Sequence, residues 1–193
     1  MNLIGLGGWK EHGKDALAEF INDISESGQL VGMSEPLCEA ALRTDPWIQL
    51  PDKTYWFEKL SDIVAHVGWT EAKTIPDVRT FLQGLGTDVG RKMWDENVWV
   101  NIARTRVGEL LGAGRTVAVT GIRYPNELKM INDFGGMAVW VERPGHVTDE
   151  STADHESEHA LTSVDFDQVI LNDGTLDDLR TQAVGLVARM AGA

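Results

Sequence analysis

The chain has 193 residues, with 17 Lys and Arg against 30 Asp and Glu, and its formal net charge is −13. This length predicts one compact domain with a substantial apolar core. The acidic composition excludes nucleic acid as the expected partner but permits a small anion in a local basic pocket. One cysteine, no run of 18 apolar residues and no leader pattern predict a cytoplasmic protein that binds no membrane.

Apolar patterns of strand and helix type alternate along the chain. Residues 2–6 predict a buried strand that runs through glycines into a helix whose apolar residues lie between Ala16 and Ile24. Such alternation is typical of α/β proteins, so we expect about five parallel strands with helices on both faces. Further strands are expected at 31–34, 116–120, 137–141 and 166–171, and helices at 35–42, 55–66, 76–93, 98–111, 125–134 and 176–190.

A glycine-rich turn separates the first strand from the first helix. Residues 8–14 read GWKEHGK, which fits the GxxxxGK pattern of a phosphate-binding loop (P-loop) in its strand, loop and helix context. The two glycines let amide groups curl around phosphate, the helix N-terminus adds positive charge, and Lys14 can reach the β- and γ-phosphates. A dinucleotide fingerprint fits less well, because a lysine stands at position 10. The predicted ATP-binding residues of the loop are Gly8, Trp9, Lys10, Glu11, His12, Gly13, Lys14, Asp15 and Ala16.

Asp15 stands where this kind of loop usually carries a Ser or Thr whose hydroxyl binds Mg²⁺. A carboxylate could bind the ion directly or through a water. The alternative is that Asp15 only caps the helix N-terminus, where an acid is favourable. We favour the metal role, because a phosphate loop needs Mg²⁺ nearby and the predicted strand at 116–120 leads into Gly121 rather than into an acid.

Five segments, in their order and spacing, resemble the phage deoxynucleoside monophosphate kinases of the P-loop nucleoside monophosphate kinase group. They are GKD at 13–15, VRTFLQGLGTDVGR at 78–91, TGIRYPNE at 120–127, HESE at 155–158 and NDGTLDDL at 172–179. The resemblance covers nearly the whole chain. It implies transfer of the ATP γ-phosphoryl group to a deoxynucleoside monophosphate (dNMP) with Mg²⁺, in the host cytoplasm if the protein is phage-encoded. It also leaves a homodimer open.

The resemblance further implies how the single kinase domain is organised. Its core is expected at residues 1–34 and 112–193, and a helical region that binds the monophosphate at about 35–111. The polar stretch after the fourth predicted core strand is a candidate lid at about 143–160.

Arg79 and Gln83 stand at i and i+4, so one helix face presents a guanidinium fork beside an amide. The fork suits an acceptor phosphate and the amide suits a base edge, and the resemblance assigns the two residues these roles. Plain surface solvation is the alternative for Arg79. Arg43 and Arg91 complete the predicted dNMP-binding set.

Two arginines are expected at the carboxyl edge of the sheet, where ligands bind in open α/β folds. Arg123 follows one core strand and could stabilise charge on the transferring phosphoryl group, and Arg143 follows the next strand and leads into the lid. With Lys14 they form the predicted catalytic set. The resemblance implies that Asn172 and Gly174, after the last strand, lie beside the adenine, although a helix-capping turn also explains them.

Two other functions compete with the kinase. His155, Glu156 and His159 spell HExxH, a zinc-protease motif, but residues 149–154 offer no apolar helical face to bury such a site. The other alternative is a nucleotide-binding module or an ATPase that passes phosphate to water. The Arg79 and Gln83 pair argues instead for a second organic substrate.

Overall fold

The computed structural model describes residues 2–51, 56–146 and 160–192. By contacts the chain divides into two compact units, Met1–Met33 with Ala103–Ala193, and Ser34–Ile102. The strands are β1 (Leu3–Gly7), β2 (Gly28–Gly32), β3 (Trp47–Gln49), β4 (Phe57–Lys59), β5 (Thr116–Ile122), β6 (Met137–Glu142) and β7 (Gln168–Leu171). The helices are α1 (Lys14–Ile24), α2 (Glu35–Thr44), α3 (Leu60–Ala72), α4 (Pro76–Gln83), α5 (Val98–Gly112), α6 (Pro125–Asp133) and α7 (Leu176–Gly192), with a π-helix at Gly84–Trp94 and a 3₁₀ turn at Ser163–Asp165.

The first unit is built on a five-stranded sheet in the order β2-β5-β1-β6-β7, with every neighbouring pair parallel. β1 lies in the centre, where Ile4 is in register with Ala118 of β5 on one side and with Met137 of β6 on the other. The predicted α/β fold with five parallel strands is therefore confirmed. The carboxyl end of β1 opens at the middle of the sheet edge, which is where ligands bind in such folds.

Alternate residues of β1 face two different helical layers, as the two-residue period of a strand requires. Ile4 and Leu6 pack in a buried cluster with apolar residues of α1 and α7. Gly5 faces the opposite side, where a Cβ atom would lie 2.6 Å from Cγ1 of Ile131 in α6. Helices thus cover both faces of the sheet, as predicted, and a glycine in β1 allows α6 to approach closely.

The second unit, Ser34–Ile102, differs from its sequence-based prediction in two places. The segment 55–66 was expected to be one helix, but Phe57–Lys59 pairs antiparallel with Trp47–Gln49, and α3 begins only at Leu60. Leu60 is fully buried, and its N–H donates to the Pro46 carbonyl at 3.1 Å. Hairpin pairing therefore overrides the helical pattern of these residues.

The helix predicted at 76–93 is also wrong in type beyond Gln83, because Gly84–Trp94 forms a π-helix. Trp99 packs against this segment and donates its indole N–H to the Gly86 carbonyl at 2.9 Å. At Gly90 an added Cβ would lie 2.7 Å from the same ring. The glycines of the wider π-helix therefore leave room for a buried tryptophan. The apolar period of the sequence does not distinguish a π-helix from an α-helix.

The last helix, α7, has the predicted cap. The Asp178 N–H donates to the Thr175 hydroxyl at 3.2 Å, and the Asp178 carboxylate accepts the Thr175 N–H at 2.8 Å. The Thr175 N–H, and next the Thr175 hydroxyl that donates to the same carboxylate at 2.7 Å, lower the pKa of Asp178. Among the described residues, no helix is long and apolar enough to cross a membrane.

We expect Gly5→Ala to destabilise the protein by about 1–3 kcal/mol, because the new methyl group overpacks the contact between β1 and α6. The measurement is equilibrium unfolding in urea. In an Ile131→Ala background the same change should cost less, since the conflicting side chain is absent. Gly185→Ala is the control, because a Cβ there meets nothing within 4 Å on helix α7, and it should stabilise by about 0.5–1 kcal/mol. Equal costs of Gly5→Ala in both backgrounds would contradict the packing argument.

Candidate functional site

The loop between β1 and α1 follows a backbone path that two glycines make possible. Gly8 has φ 139° and Gly13 has φ 98°, both in the region that side chains disfavour. A Cβ at Gly8 would strike the Val141 carbonyl oxygen of β6, and a Cβ at Gly13 would strike Nδ2 of Asn172. The predicted glycines are therefore required both by conformation and by contact.

Lys14, the first residue of α1, is buried, with 6% of its surface exposed. Its Nζ donates to the Trp9 carbonyl at 3.4 Å and lies 3.7 Å from Oδ2 of Asp15. The ammonium group is thus folded back across the loop. Burying this charge away from water costs free energy, which favours binding of an anion to the loop.

Asn172 fixes the loop to the end of β7. Its side-chain amide donates to the His12 carbonyl at 3.0 Å, and its backbone N–H donates to the Glu142 carbonyl at 2.7 Å. The side chain is buried, so the structure shows it supporting the loop backbone. Contact of Asn172 and the exposed Gly174 with adenine stays a prediction.

His12 ties the loop to Arg143, the first residue after β6. The Arg143 N–H donates to Nδ1 of His12 at 3.0 Å, which leaves the ring proton of neutral His12 on Nε2. The ring is buried and lies 5.5 Å from that of His146, whose Nε2 is 3.6 Å from Oε2 of Glu11. Burial, and next the nearby His146, lower the pKa of His12, so the neutral ring is favoured.

An aromatic row supports the loop, and the sequence analysis did not identify it. The Trp9 ring lies edge-on to Trp140 of β6 at 5.4 Å between centroids, and Trp140 lies 5.2 Å from Phe166. A Cβ at Gly7 would strike the Phe166 ring. These side chains are far apart in sequence, so only the strand order brings them together.

The Arg123 turn is held by Glu127, which the sequence analysis also missed. The buried Glu127 carboxylate accepts the backbone N–H groups of Arg123 at 2.8 Å and of Tyr124 at 3.2 Å. An acid three residues into a helix that opens with Pro125 is the signal that could have found it. Arg123 is half-buried and Arg143 is exposed, both directly after the ends of core strands.

Asp15 is exposed in the first turn of α1, and its Oδ1 accepts a hydrogen bond of 2.5 Å from the Thr120 hydroxyl at the end of β5. The structure therefore gives the carboxylate a partner on a neighbouring strand, while its place in the first turn of α1 is also favourable for an acid. The choice between the metal role and the capping role stays a prediction.

The predicted dNMP-binding residues lie in the second unit. Arg79 and Gln83 are half-buried one turn apart on α4, as their spacing predicts. Arg91 lies in the π-helix, where its Nη1 donates to the Glu96 carbonyl at 3.1 Å. Arg43 is exposed and pairs with Glu39 on the same helix at 2.6 Å. Their contacts with a nucleotide stay predictions.

The residues of the zinc-protease alternative, His155, Glu156 and His159, lie outside the described residues, as does most of the predicted lid. Within the described ranges, no group of three or more His, Cys, Asp or Glu residues is placed to hold a metal ion.

Comparison with known proteins decides the family. The family model described as deoxynucleotide monophosphate kinase matches residues 53–183, more than half of the chain. The chain belongs to this family. The resemblance predicted from the five segments is confirmed.

Viral proteins are similar to this family member. A protein of Acanthamoeba polyphaga mimivirus, provisionally named a deoxynucleotide monophosphate kinase, is 27% identical over 97% of this chain and 96% of its own. The deoxynucleotide monophosphate kinase of Escherichia phage RB69 is 32% identical over 53% of this chain and 41% of its own. The uncharacterized protein ORF77 of Ictalurid herpesvirus 1 is 36% identical over 52% and 44%. The chain therefore spans less than half the length of two of these relatives.

The lowered pKa of His12 predicts how stability depends on pH. Because the unfolded chain binds this proton more readily, stability should fall as pH drops below the ordinary histidine value of about 6.5. In His12→Asn, whose Oδ1 can accept the Arg143 N–H, the fall in Tm between pH 7.5 and 5.5 should be smaller. The exposed His66→Asn is the control and should keep the wild-type slope. An unchanged slope in His12→Asn would remove His12 as its source.

Asn172→Leu should loosen the loop while keeping side-chain volume, because the His12 carbonyl loses its donor. We expect ATP affinity to fall about 10-fold, the size expected for one buried hydrogen bond. The measurement is calorimetric titration with MgATP. Asp173→Leu, at the exposed neighbouring position, is the control. ATP affinity equal to that of the control would contradict the supporting role.

Proposed function

We propose that this chain transfers the γ-phosphoryl group of ATP to a deoxynucleoside 5′-monophosphate, giving ADP and the diphosphate used for DNA precursors. The observation that carries the proposal is the glycine loop at the carboxyl end of β1 with the buried Lys14 ammonium folded across it. Family membership supports the nucleotide acceptor. The reaction takes place in the cytoplasm, which is that of the host if the protein is phage-encoded.

The loop residues Gly8 to Ala16 cradle the triphosphate, with backbone N–H groups and the α1 N-terminus facing the anion. Lys14 neutralises charge on the β- and γ-phosphates as the transition state forms. An oxygen of the acceptor phosphate forms a bond to the γ-phosphorus, the bond from that phosphorus to the bridging oxygen breaks, and ADP leaves. Arg123 and Arg143 stabilise the charge on the transferring group and exclude water from it.

Mg²⁺ fits the oxygen donors at the loop. The exposed Asp15 carboxylate lies at the start of α1 beside the Thr120 hydroxyl, and hard oxygen ligands of this kind suit Mg²⁺. We assign Asp15 to the ion. When bound, Mg²⁺ draws charge from the phosphate oxygens.

Four residues of the second unit are assigned to the acceptor. Arg79 grips the monophosphate through its planar fork, and Gln83 on the next turn of α4 reads the base edge. Arg43 and Arg91 supply further positive charge. Within the described residues, the guanidinium of the half-buried Arg79 makes no hydrogen bond or ion pair, which leaves its fork available to a ligand.

The direct test is an ADP-release assay of the purified chain against a panel of ribo- and deoxynucleoside monophosphates. We expect ADP release that depends on a deoxynucleotide. ADP release at the same rate with no monophosphate present would show an ATPase instead. Stoichiometric zinc in protein purified without a histidine tag would favour the protease.

Lys14→Met keeps the side-chain length in a buried position but removes the charge, so the fold should persist while kcat falls about 100-fold or more. Turnover in the ADP-release assay and the circular dichroism spectrum are the measurements. Lys129→Met is the matched control, because this exposed lysine of α6 pairs with Asp133 away from the loop. Near-normal turnover of Lys14→Met would remove the central claim.

Arg79→Ala should raise the KM for the dNMP about 10- to 100-fold with little change in the KM for ATP, since charged hydrogen bonds to the acceptor phosphate are lost. Arg115→Ala is the control, because this exposed arginine precedes β5 at the opposite edge of the sheet from the loop. A rise in the KM for ATP alone would reverse the assignment of the two substrates.

A further inference from the structure

The hydrogen bond between Thr120 and Asp15 joins two elements that flank the phosphate loop. Asp15 lies in the first turn of α1, after the loop, and Thr120 lies near the carboxyl end of β5, which pairs with β1. The Thr120 hydroxyl donates to Oδ1 at 2.5 Å, and the Thr120 carbonyl accepts the Met33 N–H at 3.0 Å. The Thr120 hydroxyl therefore stands on β5, which is held in place by pairing with β1 on one side and with β2 on the other.

The pair has the chemistry of the common Mg²⁺ site of P-loop enzymes, with its two parts exchanged. In that common arrangement a Ser or Thr follows the loop lysine, and an acid stands on a core strand. Here the acid follows the lysine and the hydroxyl stands on the strand. We propose that Thr120 is a positioning residue that holds the Asp15 carboxylate toward the metal-bound triphosphate. This inference rests on the proposed ATP-binding function.

The hydrogen bond from the Thr120 hydroxyl restricts the orientation of the Asp15 carboxylate. Asp15 is 69% exposed at its side chain, so without a partner it could rotate freely into solvent. The bond to Thr120 occupies Oδ1, while Oδ2 lies 3.7 Å from the Lys14 ammonium. Between these two groups one carboxylate oxygen stays directed toward the part of the loop that receives the phosphates. A rotamer fixed in advance lowers the cost of holding the ion.

The test measures ATP affinity with and without Mg²⁺, in the absence of any monophosphate, and takes the ratio of the two Kd values. A fixed carboxylate attracts the magnesium complex and repels the metal-free triphosphate, so wild type should show a large ratio. Thr120→Val should reduce the ratio about 10-fold, and Thr120→Ser, which keeps the hydroxyl, should stay near wild type. A residue that served the fold alone would change both Kd values together and leave their ratio unchanged.

The dependence on Asp15 is tested in a double-mutant cycle. In an Asp15→Asn background, Thr120→Val should have no further effect on the ratio, since the amide carries no charge to direct. Thr116→Val, the same change at the other end of β5, is the control and should leave the ratio at the wild-type value. An unchanged ratio in Thr120→Val, or an equal loss in both backgrounds, would overturn the proposal.

The exchange itself is tested by the reciprocal swap, Asp15→Thr with Thr120→Asp. The double variant should recover a larger ratio than either single variant, because it restores one hydroxyl and one carboxylate. No recovery would contradict the exchanged arrangement. Since these titrations use ATP alone, a protein that binds MgATP but phosphorylates no dNMP would refute the proposed activity without deciding the role of Thr120.

Discussion

The candidate site depends on one steric constraint, which is that no side chain stands between the loop backbone and the ends of β6 and β7. Gly8 passes the Val141 carbonyl, and Gly13 passes the Asn172 amide, at distances that leave no room for a Cβ atom. This close approach allows Asn172 to bind the His12 carbonyl and lets the Arg143 N–H meet the His12 ring. The loop is therefore shaped by its neighbours before any ligand arrives, and a preformed site loses less entropy on binding.

The packed loop also places a buried positive charge inside an otherwise acidic protein. The chain carries a formal charge of −13, yet the loop buries the Lys14 ammonium, and the lowered pKa of His12 keeps the neighbouring ring neutral. A buried ammonium beside a glycine loop favours compact anions, while an acidic surface repels long ones. Charge distribution, rather than total charge, thus determines what can bind.

Sequence reasoning predicted the features that depend on local pattern. The glycine spacing predicted the loop, the apolar runs predicted four core strands closely, and Thr175 predicted the cap of α7. The remaining core strand was expected at 31–34 but is Gly28–Gly32, because glycines and a glutamine weaken its apolar pattern. Sequence reasoning failed where contacts between residues far apart in the chain determine the local structure. The hairpin of β3 and β4 overrides a helical pattern, and Trp99 accompanies a π-helix. Likewise Thr120 is an unremarkable strand residue until the fold places it beside Asp15, 105 positions away.

The central position of β1 has a consequence for synthesis of the protein. Leu3 pairs with Val117 and Ile4 with Met137, so this strand finds both of its neighbours only after about 130 further residues have been added. At ribosomal rates this interval is roughly 7–27 s. During that time β1, which is apolar and buried in the folded protein, has no neighbouring strand to pair with, and the loop that follows it has no sheet edge to pack on. The nascent chain therefore presents an unpaired, aggregation-prone strand to chaperones until β5 and β6 emerge.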